Sequence, residues 1–83
     1  MQGIHTVSDQ ILLSLSKRLK VDVSKIRPQH SLRDDLGFDS ADSIELVFAL
    51  EEMFDLEVSD QDFRKLTTVS EVIEYVQGRL HAA

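Results

Sequence analysis

Eighty-three residues suffice for one small domain, and with no cysteine in the chain neither disulfides nor thiolate-held metal can staple it, so close packing has to hold it together. Any thiol chemistry would have to arrive on an attached group. A net charge of −6 argues against a nucleic-acid partner, and no apolar run approaches the roughly 20 residues a membrane span requires.

One proline, three glycines and 42% hydrophobic residues suit a helical bundle. The first helix is predicted over Val7–Leu19, with Thr6 the better cap and Ser8 the weaker one. Ile4, Val7, Ile11, Leu12, Leu15 and Leu19 recur at three- and four-residue spacing and form one apolar stripe, while Lys17, Arg18 and Lys20 complement the dipole in the last turn. The apolar stretch Ile11–Leu15 is short, broken by Ser14 and preceded by Asp9, so it does not read as a signal peptide, and a cytoplasmic protein is expected.

Periodicity lapses from Val21 to Asp39, where Pro28, Gly37 and mixed polar residues mark a long connection with one short turn at Ser24–Ile26. Val23, Ile26, Leu32, Leu36 and Phe38 are the anchors expected to pack this loop in an ordered path across the bundle; loops of this length are usually functional or disordered. A second helix is predicted from Asp39 or Ser40 to Phe54, with Asp39 receiving the first free amides, Asp42 in the first turn and Gly37 permitting a sharp approach. Ser59 caps a short third helix, Asp60–Leu66, with Phe63 and Leu66 as an inward pair. Thr68-Val69-Ser70-Glu71 reads as a capping box opening a fourth helix with the stripe Val69, Val72, Ile73, Val76 and Leu80. The fold class is therefore all-α: three main helices and one short one, a long ordered loop between the first and second, and residues 1–83 in a single domain.

Charge is unevenly placed. Lys17, Arg18, Lys20, Lys25, Arg27 and Arg33 dominate the first 33 residues, whereas residues 34–62 contain no Lys or Arg. The acids of that segment are interleaved with Leu, Ile, Val and Phe, which makes it a folded acidic face and not a disordered tail. With Ser40 at zero and about 100° per residue, Leu46, Leu50, Met53, Phe54, Val47, Ile44 and Phe48 wrap more than half of the second helix, opposite Asp42, Glu45, Ala49 and Glu52, with Ala41 at the border. This helix is either the most buried of the bundle, or leaves Ile44 and Phe48 partly exposed beside Glu45, Glu51 and Glu52 for docking, or lines a cavity for an apolar ligand. Periodicity alone favours burial.

Ser40 stands where unpaired amides and the helix dipole stabilise a phosphate. A serine at a helix start is more often a plain cap. The run Asp34-Asp35-Leu36-Gly37-Phe38-Asp39-Ser40-Ala41-Asp42-Ser43-Ile44-Glu45-Leu46, however, resembles the phosphopantetheine attachment site of acyl carrier proteins, whose pattern reads Asp-Leu-Gly-any-Asp-Ser-Leu-Asp-any-Val/Ile-Glu-Leu. Val47 to Asp55 resembles that family's second helix, and Leu66-Thr67-Thr68-Val69 resembles the start of its last one.

The resemblance implies a small acyl-carrier-like bundle that performs no catalysis. A phosphopantetheinyl transferase would move 4'-phosphopantetheine from coenzyme A onto Ser40 Oγ, releasing adenosine bisphosphate, and the arm would supply the thiol this chain lacks. Acyl groups would ride on it as thioesters and reach partner enzymes of fatty-acid, lipid or polyketide synthesis at high effective concentration. By resemblance, Asp39, Glu45, Glu51 and Glu52 meet basic patches on acyl-transferring and acyl-modifying enzymes, with Ile44 and Phe48 as apolar contacts, and salt should weaken the docking. The family's Leu after the attachment serine is here Ala41, which removes an apolar docking anchor and points to a carrier serving a dedicated pathway. A monomer is expected.

Ser43 also follows an Asp, but lies about one turn inside the helix, where amides are already paired. His5, His30 and His81 are scattered and expected to be solvated, none at the i, i+4 spacing of a helical metal site, and the Asp-rich stretch 34–45 lacks the ligand order of a calcium loop. A carrier domain for amino acids or polyketides shares the fold and the arm. An unmodified acidic helical interaction module is the alternative from a different class.

Overall fold

The first helix, α1 (Val7–Leu19), is set by local chemistry at both ends. Thr6 Oγ1 accepts from the Asp9 amide at 2.9 Å, and Asp9 lies in the first turn, where an anion is favoured. The helix ends at Lys20, whose left-handed φ of 59° lets its amide bond to the Ser16 carbonyl. Ile11 and Leu15, one turn apart, are completely buried, and Val7, Leu12 and Leu19 pack around them. The computed structural model describes residues 6–81; Ile4, expected in this stripe, lies outside them, as does His5.

The connection that follows is ordered by its own anchors. Asp22 caps a 3-10 turn at Val23–Lys25, one residue earlier than expected. Ile26, Leu32 and Phe38 are buried and Leu36 half-buried, but Val23 is exposed, because it opens that turn on the solvent side instead of packing inward. The loop is also tied to the start of the last helix. The Val69 amide donates to the His30 carbonyl at 3.0 Å, Ser70 to Pro28 at 2.8 Å, and Leu32 to Thr67 at 2.9 Å, leaving one isolated antiparallel bridge between Ser31 and Thr68. Val69 and Ser70 carry first-turn amides that no residue within a helix can satisfy, so the loop completes α4 as much as α4 holds the loop.

The second long helix is α2 (Ser40–Phe54), closed by Asp55 at a left-handed φ of 52°. The short α3 (Asp60–Phe63) is capped by Ser59, whose Oγ accepts from the Asp62 amide at 3.1 Å. It stops three residues before the expected Leu66, since Lys65 and Leu66 bond three residues back, to Asp62 and Phe63, in tighter turns than an α-helix allows. Phe63 and Leu66 are both half-buried, and Leu66 packs against the core.

The last helix, α4 (Val69–His81), opens on the expected capping box: Thr68 Oγ1 accepts from the Glu71 amide at 3.2 Å and Glu71 Oε1 accepts from the Thr68 amide at 3.0 Å. The Thr67 hydroxyl and amide bond to the same Glu71 oxygen, at 2.6 Å and 3.0 Å, which holds its carboxyl below the usual carboxylate range. Val69, Val72, Ile73 and Val76 enter the core. Leu80, expected in the same stripe, is exposed: from Gly78 onward the helix runs past the packed elements and every described residue faces solvent.

The core is wholly apolar among the described residues, with no buried polar or charged group. Ile11 and Leu15 of α1, Leu46 and Leu50 of α2, Val69, Val72, Ile73 and Val76 of α4 and the loop anchors Ile26, Leu32 and Phe38 form one cluster. Tyr75 ties α4 to α3, its hydroxyl donating to Asp62 Oδ2 at 2.8 Å and accepting from Arg79 at 2.7 Å. Burial, with that acceptor, pushes the phenol upward.

Candidate attachment site

The approach to Ser40 is built in three steps. Gly37 takes a φ of 74°, a conformation that costs other residues strain, and turns the chain toward the helix. Phe38 then drives its ring into the core while its amide donates to the Leu32 carbonyl at 2.8 Å, so the backbone is pinned immediately before the helix. Asp39 finally caps α2 with a reciprocal pair: its Oδ1 accepts from the Asp42 amide at 2.8 Å, and Asp42 Oδ2 accepts from the Asp39 amide at 3.2 Å.

Ser40 is the first helical residue and is exposed. Since Asp39 serves the Asp42 and Ser43 amides, the Ser40 and Ala41 amides are left without an intramolecular acceptor among the described residues. Two free N–H groups at the positive end of a helix of 15 residues, beside an exposed hydroxyl, suit a phosphodiester on that hydroxyl: the new charge would meet donors already in place. Ser43 differs. Its amide is bonded to the Asp39 carbonyl at 3.0 Å and the residue is half-buried.

Burial along α2 excludes the first of the three readings of its broad apolar arc. Leu46, Val47 and Leu50 are buried and Phe54 is half-buried, but the arc's edges are open: Ile44 is 43% exposed, Phe48 62% and Met53 43%. The second helix is therefore not the most buried of the bundle, contrary to what periodicity favours: it buries three of its 15 residues, against four of 13 in α4. Ile44 and Phe48 instead border an open groove of about 270 Å³ with Val47, Val58 and Phe63, because the four-residue α3 is too short to cover that side of α2. On the helical wheel Ser40, Glu51, Ile44, Phe48, Ala41, Glu52 and Glu45 fall within one arc of about 140°, so the residues expected for docking share a face, except Asp39, which is the extended cap before the helix.

Not all of the expected docking acids are free on that face. Arg18, at the end of α1, donates to Asp42 Oδ1 at 2.7 Å and also to Glu45, clamping α1 to the first turns of α2. The guanidinium holds the Asp42 carboxyl below the usual carboxylate range, and the two acids push Arg18 upward in turn. Glu51 Oε2 accepts from the Val58 amide at 2.9 Å and fastens the connection to α3. Asp39 is committed to its cap. Glu52 is exposed, with no ion-pair or hydrogen-bond partner for its side chain among the described residues. In the sequence Arg18 reads only as a dipole complement; its partners lie 24 and 27 residues away, beyond any local signal.

The histidines are not gathered. His30 is half-buried, not solvated as expected: its Nδ1 accepts from the Arg27 amide at 3.1 Å and its own amide donates to the Arg27 carbonyl at 3.0 Å, which makes it a clip within the loop. His81 is exposed, its Nδ1 paired with the Gln77 carbonyl at 2.8 Å.

A model of the family described as "phosphopantetheine attachment site" matches residues 9–76 of this chain. The matched span runs from the first turn of α1 to the last buried residue of α4 and includes the loop, the capped start of α2 and the whole apolar core. The chain therefore belongs to the phosphopantetheine attachment-site family, whose domains are non-catalytic carriers of covalently attached 4'-phosphopantetheine.

Proposed function

We propose that Ser40 is the residue that carries the arm, and that the chain delivers acyl intermediates, as thioesters on it, to separate enzymes of fatty-acid, lipid or polyketide synthesis. The observation that carries this reading is the exposed Ser40 hydroxyl beside two unpaired amides at a helix start whose geometry is held by Gly37, Phe38 and Asp39. During modification the Oγ–phosphorus bond forms as a pyrophosphate P–O bond of coenzyme A breaks; the hydroxyl proton is lost and adenosine bisphosphate leaves. Once attached, the arm supplies the thiol on which acyl groups are carried. The protein's own residues supply the anchor, the amides that share the phosphate's charge, and the surface that enzymes grip.

That surface is the open arc of α2 together with its cap, with Ile44 and Phe48 as apolar contacts and Asp39, Glu45, the half-buried Glu51 and Glu52 as acids facing basic patches on the transferase and on acyl-handling enzymes. Ala41 leaves the first turn without an apolar anchor, which supports a carrier dedicated to its own pathway. A cytoplasmic monomer fits the shuttle role. Intact mass after incubation with coenzyme A and a broad-specificity transferase tests the attachment: the wild type gains one phosphopantetheine, and Ser40→Ala gains none. A gain that survives Ser40→Ala and vanishes in Ser43→Ala would move the anchor one turn along the helix. Acylation of Ala41→Leu by a general fatty-acid synthase system tests the dedicated role, which a failure to exceed wild type would count against.

A further inference from the structure

Ser40 opens onto a second, larger groove of about 600 Å³, on the side of α2 that faces the loop and the turn after α3. Its apolar lining includes the buried Leu32 and Phe38 and the half-buried Leu66. Two arginines also line it, Arg33 from the loop and Arg64 from the turn following α3. Both are exposed, and among the described residues neither has a carboxylate within ion-pair distance, although Asp34 and Asp39 border the same groove. Asp39 is occupied by its cap. The arginines this chain uses structurally are engaged, Arg18 with two carboxylates and Arg79 with the Glu57 carbonyl and the Tyr75 hydroxyl.

We infer that Arg33 and Arg64 grip the phosphodiester joining the arm to Ser40, an inference that rests on Ser40 as the attachment point. A phosphorus bonded to Ser40 Oγ must stand at the rim of this groove, with its non-bridging oxygens open to whatever donors surround it. The Ser40 and Ala41 amides meet the anion from the helix side. The guanidinium groups, whose forked donors match phosphate oxygens, meet it from the loop and the α3 turn. The root of the arm is thereby steered toward the groove that holds the two arginines and away from the acidic docking arc of α2. An enzyme that docks on α2 receives the distal thiol while the phosphate stays with the carrier.

The test uses full-length protein as apo and modified forms, with intact mass establishing first that wild type is modified and Ser40→Ala is not. Side-chain Nε–Hε resonances of Arg33 and Arg64 are followed on modification, alongside the phosphorus resonance of the arm in wild type, R33Q, R64Q and the double variant. Both arginine resonances should shift on modification. The phosphorus resonance of the double variant should move toward that of the urea-unfolded modified protein, and the gain in Tm from modification should shrink in that variant and in high salt. Both side chains lie outside the core, and far-UV circular dichroism verifies that each variant folds. Modified wild type whose arginine resonances stay at their apo positions overturns the grip alone. Resonances that move only after an acyl group bearing its own carboxylate is loaded overturn it too, by assigning the pair to cargo. Wild type that never gains mass removes the attachment reading and this inference with it.

Discussion

Replacing Asp39 separates two roles that one carboxylate performs. Its Oδ1 takes the Asp42 amide at 2.8 Å, and the reciprocal bond from its own amide to Asp42 does not need the Asp39 side chain. Asp39→Ala therefore deletes half of the capping box and leaves the Asp42 amide to partial solvation, since Asp42 is half-buried. The loss of such a cap is worth about 1 kcal/mol, which in a domain of this size lowers Tm by roughly 4–8 °C. Asp39→Asn keeps an oxygen in the same place and removes only the charge, so its stability should stay within about 0.5 kcal/mol of wild type. Thermal melts of the three proteins measure the cap. Transferase kcat/KM at low and high salt measures the charge: the Asp39→Asn variant should react more slowly than wild type at low salt, and the two should converge as salt rises. Equal destabilisation by the two substitutions would show that charge, not the hydrogen bond, stabilises the start of α2. An unchanged rate for Asp39→Asn at low salt would take Asp39 out of the docking surface.

Leu50 and Phe48 lie two residues apart on α2, one completely buried and the other 62% exposed. Leu50→Ala should cost about 2–5 kcal/mol in chemical denaturation, while Phe48→Ala costs under about 1 kcal/mol yet slows transfer to partner enzymes; similar losses of stability would contradict the open edge of α2. Gly37→Ala adds a Cβ that meets nothing within 4 Å, so its penalty is the backbone's alone, about 1–2 kcal/mol, and a variant as stable as wild type would mean the loop relaxes at that turn. Asp42 and Glu71 have carboxyls lowered in the folded state, so their contribution is present above the ordinary carboxylate range and is lost as pH falls through the depressed values. Arg18→Met should accordingly be less stable than wild type at neutral pH, with the gap closing in acid as Asp42 protonates. A gap that stays constant down to about pH 2, well below the unperturbed carboxylate values, would show that Arg18 contributes through packing instead.

The helices were legible because their signals act within one turn. Thr6 with Asp9, Asp39 with Asp42 and Thr68 with Glu71 are each three residues apart, and each forms the bond that this spacing suggests. The same locality explains the overshoots. Leu80 continues the α4 period after its neighbours have ended, and Leu66 continues α3 after the backbone has tightened into three-residue turns. A period states which side chains point the same way, but it does not state whether anything covers them.

Sequence alone determined the all-α class, two of the three long helices, α1 and α2, at their observed limits, the ordered loop, and a serine at the start of an acid-rich helix. Tertiary structure decided which parts of that helix are covered: a short α3 leaves Ile44 and Phe48 open. It also decided which charges are occupied, by bringing Arg18 onto Asp42 and Glu45 and folding Val58 back onto Glu51. Only the closed fold placed Arg33 and Arg64, separated by the whole of α2 and α3, in one groove with Ser40. Hydrogen bonds within a turn depend on spacing along the chain, whereas burial and ion pairing between distant segments depend on how the packed core positions whole helices.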